Sequence, residues 1–299
     1  MRQATINDLR RIATITHVAR RAIQKSLVEA RRNAGRTNLR ARRFLADSMV
    51  RREVRRRADV EERAGITVVT VTWNSLEFLR GMLEGVREFS DDHVEILVVD
   101  NHSSDGTAEY LAERPDVRVI TTPINIGHGL GLDLAFAHAT TTDVVALDVD
   151  AFPISHDWLA AVLDPLDNGA IVAGAYVQRA FLHPSFIGMR RRDFYRLRLS
   201  FAPVGVRTAP GERPRGLFMD VGEALSQTVA VAEGSDALHR IPITSTRGPN
   251  LIGSVYGDRV YHNFYSTQGE AELVELALQA WEDARANYLP PQARKLSGG

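Results

Sequence analysis

Two carboxylates separated by one residue, Asp148 and Asp150, are the part of this sequence best suited to chemistry. They close the strand-like run 143–150, and residues i and i+2 of an extended backbone point to the same side. Two carboxylates on one side repel each other unless a proton or a cation joins them. Mg²⁺ or Mn²⁺ is the natural partner, because hard divalent cations prefer oxygen ligands and share their shell with phosphate oxygens. The pattern also fits two solvated aspartates where a strand meets a loop.

Polar residues follow two other apolar runs in the same way. Thr72, Trp73 and Asn74 follow the first run, and the segment 100–105, DNHSSD, follows the second. Open α/β sheets bind ligands beyond the carboxyl ends of their parallel strands. We therefore expect the three polar clusters to meet at one edge of a sheet and to form one ligand site.

The elements that must position these clusters alternate between strand and helix patterns from Ile66 onward. Runs rich in β-branched residues predict strands at 66–73, 94–100, 117–121, 143–150 and 170–177. Helices are predicted between them at 76–89, 105–113 and 126–139. This alternation indicates an α/β fold with a mostly parallel sheet sandwiched by helices.

The pattern is less regular after Val177. A loop rich in proline and glycine is expected over 202–216, with a possible function as a lid over bound ligand. Further helices are predicted from Asp220 to Val231 and over 270–286, and short strands flank the turn at 257–258. The charge run 190–192, RRR, is interpreted as a solvated face, with phosphate binding as the alternative.

Composition limits the class of protein. The chain has 299 residues, of which 44% are hydrophobic and 25% charged, and these values exclude wholesale disorder and a collagen-like chain. No apolar run approaches the roughly 20 residues of a membrane span, and the N-terminus lacks an apolar core of signal-peptide length. The absence of cysteine excludes disulfides, thiolate zinc sites and a cysteine nucleophile. A cytoplasmic protein is expected.

Charge is distributed unevenly along the chain. Residues 1–64 hold 18 basic and 7 acidic residues, and the remainder is correspondingly acidic. This predicts an Arg-rich helical N-terminal extension on an acidic body. The extension could contact the inner face of a membrane peripherally or bind a phosphate-bearing acceptor. Packing on the body or a homodimer contact is the favoured alternative, and no nucleic acid partner is expected, since clustered aromatics are lacking.

Four motifs occur in order at predicted strand or helix edges: TVTWNS, VVDNHSSDGT, NIGHGLGLDLAFAHA and VVALDVD. Together they resemble the family 2 glycosyltransferases, which have the nucleotide-sugar-binding fold called GT-A. The resemblance covers roughly 66–167 and extends more weakly to 267. It implies a GT-A domain over 65–299, with a nucleotide-sugar-binding half at 65–167 and an acceptor half at 168–299.

The resemblance also implies roles for individual residues. Asp148 and Asp150 match the D-x-D pair that holds the metal on the diphosphate, and His262 is a candidate third ligand, with a packed histidine as the alternative. Asp105 is expected to cap a helix. The expected nucleotide-sugar site comprises Thr70, Thr72, Asn74, Asp100, Asn101, Asn125, Gly127 and Asp148.

Transfer to a hydroxyl also requires a general base on the acceptor side. Asp220 and Glu223 are the candidates, with Asp220 favoured, although both positions also suit helix capping. The family resemblance implies single displacement with inversion from a UDP- or dTDP-sugar. The acceptor is expected to be a saccharide, a lipid-linked molecule or a small molecule.

Three rival interpretations fit the sequence less well. Gly127-His128-Gly129 lacks the spacing and the preceding first strand of a dinucleotide-binding motif. A sugar nucleotidyltransferase would carry a basic, glycine-rich loop after the first strand, where this chain has TWNSLEF. A non-catalytic nucleotide- or partner-binding protein remains the main alternative, against which the intact Asp148–Asp150 pair argues.

Overall fold

The computed structural model describes residues 44–91, 93–176, 181–203, 220–246, 252–264 and 271–291. The chain divides into two compact units, Met1–Met49 and Val50–Gly299. Most of the predicted Arg-rich extension and most of the predicted 202–216 loop therefore lie outside the described residues. The sheet already begins at Arg63, close to the predicted domain boundary.

The described residues form one ten-stranded sheet, ordered β3-β2-β1-β4-β7-β6-β8-β9-β10-β5. Strands β1 to β4 run parallel, and β7 joins β4 in antiparallel orientation. The strands are β1 (Arg63–Thr72), β2 (Val94–Asp100), β3 (Val117–Thr121), β4 (Thr141–Leu147), β5 (Ala151–Pro153), β6 (Val172–Tyr176), β7 (Leu182–Arg190), β8 (Leu238–Ser245), β9 (Ser254–Tyr256) and β10 (Val260–His262).

Helices cover both faces of this sheet, as predicted, and the first begins the described part of the chain. They are α1 (44–56), α2 (Leu76–Phe89), α3 (Thr107–Ala112), α4 (His128–His138), α5 (Ala160–Asp167), α6 (Arg191–Arg196), α7 (Glu223–Glu233) and α8 (Ala271–Tyr288). Among the described helices, none combines the length and the apolar character that crossing a membrane requires.

The core lies on both faces of the central strands. On β1, Val68 packs in a cluster with Phe78 of α2, whereas Val69 packs on the opposite face with Leu132 and Phe136 of α4. Each such side chain is fully or almost fully buried and contributes about 1.5–3 kcal/mol of hydrophobic free energy. The two-sided burial explains why these strands read as nearly continuous apolar runs.

Close packing places the N-terminus of α4 over the carboxyl end of β1. A Cβ atom at Gly131 would come within 2.7 Å of Val71 Cγ1, so only glycine lets the helix lie this close to the strand. The carboxyl ends of β1, β2 and β4 therefore meet the first turn of α4. This is the edge at which the sequence predicted a ligand site.

The second half of the domain departs most from expectation. β7 was not predicted, because Pro184 and Gly188 interrupt its apolar pattern, yet it is buried on both faces. The charge run 190–192 is only partly a solvated face: Arg192 is exposed as predicted, whereas Arg191 is 2% exposed. Its guanidinium donates to the carbonyl oxygens of Ala139, Arg57 and Val60, which makes it an internal anchor.

Candidate functional site

Asp148, Asp150 and His262 form a compact group at the carboxyl end of β4. Each offers one ligand atom, and these atoms all lie within 4.8 Å of one another. Nε2 of His262 is 3.8 Å from Asp148 Oδ2 and 3.4 Å from Asp150 Oδ1. Oδ1 of Asp148 is buried and lies 3.1 Å from Nε2 of His128. Two carboxylates and an imidazole that converge on one place fit a divalent cation.

Strand pairing, rather than sequence proximity, assembles this group. Asp148 donates its backbone N–H to Ser185 O of β7, which fixes the turn after β4. β5 then pairs with β10, so that Ala151 faces His262. The backbone N–H of Asn263 donates to Asp150 O at 2.8 Å and completes the junction. The late histidine is thereby held beside the two aspartates.

A tyrosine orients His262 from the side away from the carboxylates. The Tyr256 hydroxyl lies 2.7 Å from His262 Nδ1, and Ser185 Oγ donates to the same hydroxyl at 3.2 Å. Nε2 is therefore the imidazole nitrogen that faces Asp148 and Asp150. A hydrogen-bonded partner on the other ring nitrogen is the usual support for a metal-binding histidine.

Electrostatics in the group follow from its crowding. Burial alone would lower the pKa of His262, but the Asp150 and Asp148 carboxylates outweigh burial and raise it. The pKa of His128 is raised in the same way, mainly because Asp148 Oδ1 lies 3.1 Å from its Nε2. For Asp148, burial acts to raise the pKa, and the nearby His128 overcomes it, so that the carboxyl pKa falls below its ordinary value. Histidines thus balance the carboxylate charge when no cation does.

His183, on β7, stands at the same edge. Its side chain lies near His262, with ring centroids 6.2 Å apart, and is nearly parallel to Phe264. Burial lowers the pKa of His183 to about 4, against the opposing effect of the Asp148 and Asp220 carboxylates. The imidazole is therefore neutral at physiological pH.

A network of amide side chains joins the ends of β1 and β2 to the start of α4. Asn101 is 2% exposed; its Nδ2 donates to Asn125 Oδ1 at 3.1 Å, and its Oδ1 accepts the Ile126 N–H at 2.8 Å. Asn125 Oδ1 also accepts the Gly127 N–H at 2.9 Å. These bonds fix the entry to α4 and place Gly127 and His128 beside the carboxylate group.

The neighbouring loop is held in a similar way. Asn74 Oδ1 accepts the Ser104 N–H at 2.8 Å, and Asp100 Oδ1 accepts the Ser103 N–H at 3.0 Å. Asp105 accepts the N–H groups of Leu76 and Thr107, the first residues of α2 and α3. Asp105 is thus a capping residue, as the sequence predicted.

A cavity of about 490 Å³ runs along this edge of the sheet. Seven of the predicted site residues line it, whereas Thr70, Asn74, Asp100, Asp220 and Glu223 are not among its described lining residues. The hydroxyls of Thr70 and Thr72 are buried and have no hydrogen-bond partner among the described residues. The lining residues are Val71, Thr72, Trp73, Ser75, Asn101, Asn125, Gly127, His128, Asp148, Val149, Asp150, His183, His262 and Phe264.

The two predicted base candidates differ in their surroundings. α7 begins at Glu223, three residues later than predicted, and Glu223 Oε2 accepts the backbone N–H of Asp220 at 2.9 Å. This carboxylate therefore holds the helix entrance. Asp220 Oδ1 likewise accepts the backbone N–H of Val221 at 2.9 Å, but the charge of Asp220 also acts on His128 and His183, which both line the cavity.

Seven residues that line the cavity are outside the predicted site: Val71, Trp73, Ser75, His128, Val149, His183 and Phe264. His128 had a usable signal, since it follows Asn125-Ile126-Gly127 at the start of a predicted helix. Phe264 had none, because its place beside His183 depends on the pairing of β10 with β5. Its backbone φ of 75° is rare for a bulky residue.

Comparison with known proteins finds a family match for about half of the chain. Residues 67–214 match the model of the family described as Glycosyl transferase family 2. This range contains most of β1, all of β2 to β7 and the Asp148–Asp150 pair, and it ends before His262. No curated protein matches the chain in sequence.

Several solved structures resemble the chain at low identity. Glucosyl-3-phosphoglycerate synthase from Mycobacterium tuberculosis, in complex with Mn²⁺, UDP-glucose and phosphoglyceric acid, is 18% identical, covers 60% of this chain and 69% of its own, and has a TM-score of 0.46. S. aureus TarS 1–349 is 14% identical over 79% of this chain and 75% of its own, with a TM-score of 0.45.

The mannosyltransferase PcManGT from Pyrobaculum calidifontis, in complex with GDP-mannose and Mn²⁺, is 18% identical over 86% of this chain and 88% of its own, with a TM-score of 0.43. At this level of similarity, the solved structures identify neither the donor nor the acceptor of this chain.

Proposed function

Residues 67–214 make this chain a member of glycosyl transferase family 2, and from this premise we propose that it transfers a sugar from a nucleotide diphosphate to an acceptor hydroxyl with the help of a divalent cation. One observation carries the proposal: Asp148, Asp150 and His262 converge within 4.8 Å in a cavity of the family domain. The closeness of two carboxylates whose charge only histidines balance among the described residues supports it.

In this proposal, Asp148, Asp150 and His262 hold Mg²⁺ or Mn²⁺. When bound, the cation supplies positive charge that stabilises the departing diphosphate. Tyr256 fixes the imidazole of His262 so that Nε2 faces the cation site. His128, at the first turn of α4, lies on the same side as Asp148 and adds a donor and positive charge for phosphate oxygens.

The nucleoside occupies the part of the cavity at the ends of β1 and β2. Thr72 contributes a buried hydroxyl without a partner among the described residues, and Trp73 contributes an aromatic surface. Asn101 and Asn125 shape the opposite wall through their mutual hydrogen bond. Asn74 and Asp100 hold the adjoining loop through the N–H groups of Ser104 and Ser103, and Thr70 contributes a buried hydroxyl on β1. UDP- or dTDP-sugars are the donors that we propose.

Asp220 is the proposed general base, because Glu223 is engaged in holding the helix entrance whereas the charge of Asp220 acts on cavity residues. Its carboxylate would accept the proton of the acceptor hydroxyl as that oxygen attacks the sugar. Attack opposite the leaving diphosphate gives single displacement with inversion. The acceptor is a saccharide, a lipid-linked molecule or a small molecule that bears a free hydroxyl.

Calorimetric titration of UDP, dTDP and GDP, with and without Mn²⁺, tests this function. We compare the wild type with Asp150→Asn, and Asp164→Asn serves as the matched control, because Asp164 is an exposed carboxylate on α5 outside the cavity. The expected result is that one nucleotide binds in a Mn²⁺-dependent way to the wild type and the control. Asp150→Asn should lose at least about 100-fold in metal-dependent affinity, since a ligand contributes no less than a supporting residue does.

Two outcomes would contradict the proposal. Metal-independent binding that Asp150→Asn leaves unchanged would remove the cation from the function. Binding of a nucleotide sugar without release of nucleotide in the presence of any hydroxyl acceptor would favour the non-catalytic alternative.

A further inference from the structure

His183 lines the cavity but does not belong to the Asp148–Asp150–His262 group. We propose that Nε2–H of His183 donates a hydrogen bond to a hydroxyl oxygen of the donor's sugar and thereby contributes to the choice of sugar. This inference rests on the proposed function and adds a specificity-determining residue to it.

The hydrogen bond that His183 makes within the protein shows which of its ring nitrogens is available to a ligand. Its Nδ1 accepts the backbone N–H of Ser185 at 3.2 Å. An accepting Nδ1 places the ring proton on Nε2 in the neutral imidazole. Nε2 has no hydrogen-bond partner among the described residues, and the side chain lines the cavity. His183 thus offers one fixed donor to a ligand.

The order of strands in the sheet indicates which part of the ligand lies there. The proposed nucleoside site is at the ends of β2 and β1, and the cation group follows β4, the next strand in the sheet. β7 is the neighbour of β4 on the other side, and its pairing of Phe186 with Leu147 puts His183 beyond the end of β4. A donor whose diphosphate lies at the cation group therefore places its sugar toward His183.

Phe264 holds the His183 ring in place. The two rings are stacked, with an interplanar angle of 18° and centroids 6.1 Å apart. Phe264 adopts a φ of 75°, which is unfavourable for a bulky residue and persists only where the surroundings impose it. Its ring also lies 5.1 Å from that of His262. The orientation of His183 is thereby coupled to the cation group.

Two substitutions separate the donor atom from the rest of the side chain. The amide nitrogen of Gln reaches the place of Nε2, whereas that of Asn reaches only the place of Nδ1. We therefore measure Mn²⁺-dependent affinity of His183→Gln and His183→Asn for UDP and UDP-glucose, and for GDP and GDP-mannose. His183→Phe keeps the ring without a donor, and thermal unfolding verifies that each variant is folded.

The expected result is specific to the sugar. His183→Asn and His183→Phe should bind the nucleotide sugar about 5–10-fold more weakly than the wild type, the effect of one hydrogen bond, with unchanged affinity for the free diphosphate. His183→Gln should stay within about threefold of the wild type for both.

Other results would overturn the inference. Equal losses for diphosphate and nucleotide sugar would make His183 a structural residue, and unchanged affinities together with a raised acceptor KM would assign it to the acceptor. Failure of the wild type to bind any diphosphate would instead overturn the proposed function, and this inference with it.

Discussion

The carboxylate–histidine group and the amide network lie at the same edge of the sheet, yet their polar atoms are satisfied differently. In the group of Asp148, Asp150 and His262, like charges lie close together, and histidines balance them: His128 Nε2 lies 3.1 Å from Asp148 Oδ1 and His262 Nε2 lies 3.4 Å from Asp150 Oδ1. In the network, Asn101 and Asn125 satisfy each other and nearby backbone N–H groups at 2.8–3.1 Å.

This difference distinguishes residues that bind a ligand from residues that hold the site in its structure. Two carboxylates that lie close together cost free energy unless a proton or a cation joins them, so such a pair indicates a place where a cation binds. A fully paired amide stabilises the fold and needs no ligand. The carboxylates and the paired amides both occur within the family motifs, because function depends on both, so the motifs alone do not distinguish them.

Substitution of Asn101 by alanine should produce the largest change in stability. It removes bonds to Asn125 and Ile126 and leaves the partly buried N–H group of Ile126 unpaired, so the free energy of unfolding should fall by about 2 kcal/mol. Urea denaturation measures the change. Asn168→Ala is the control, because its exposed amide makes one bond, to Asp164 O, and its loss should cost about 0.5 kcal/mol or less. An unchanged stability of Asn101→Ala would end the distinction between the two regions.

Substitution of Tyr256 by phenylalanine should lower the affinity for the cation with little effect on stability. It removes the hydroxyl that orients His262, so the affinity for Mn²⁺ should fall by about 10-fold. The ring stays packed, so the loss of stability should be no more than about 1 kcal/mol. Mn²⁺ titration and urea denaturation of the same variant measure both quantities. A large loss of stability with normal Mn²⁺ affinity would place Tyr256 with the structural network instead.

The smallest expected effect on stability concerns an ion pair that is remote from both regions. A hydrogen bond from Arg114 lowers the pKa of Asp116 to about 2. Because the folded-state pKa is below the unfolded value, this pair stabilises the protein above about pH 4, and the contribution disappears as the pH falls toward 2. The stability difference between wild type and Asp116→Asn should therefore shrink between pH 5 and pH 3 in urea denaturation. A difference independent of pH would show that the carboxylate charge has no part in it.

Sequence patterns predicted the first half of the domain well. The strands at 66–73, 94–100 and 117–121 and the helices between them are confirmed, because two-sided burial and amphipathic helices leave strong periodic signals. β5 and β10 have only three residues each and leave almost no periodic signal in the sequence. Helix boundaries also leave weaker signals than helix interiors. α7 begins at Glu223 rather than at Asp220, because Gly222 adopts a left-handed φ of 88° there.

By itself, the sequence determined the α/β fold, the family resemblance and the Asp148–Asp150 pair, because these follow from local periodicity and from residues close in the chain. Only the tertiary structure decided that His262 joins that pair, and that His183 and Phe264 stand beside it. It also decided that Arg191, read as solvated, is buried. These placements depend on pairing between strands distant in sequence, such as β5 with β10 and β4 with β7. Such pairing is set by the free energy of the whole sheet, which cannot be judged from any short segment of the sequence.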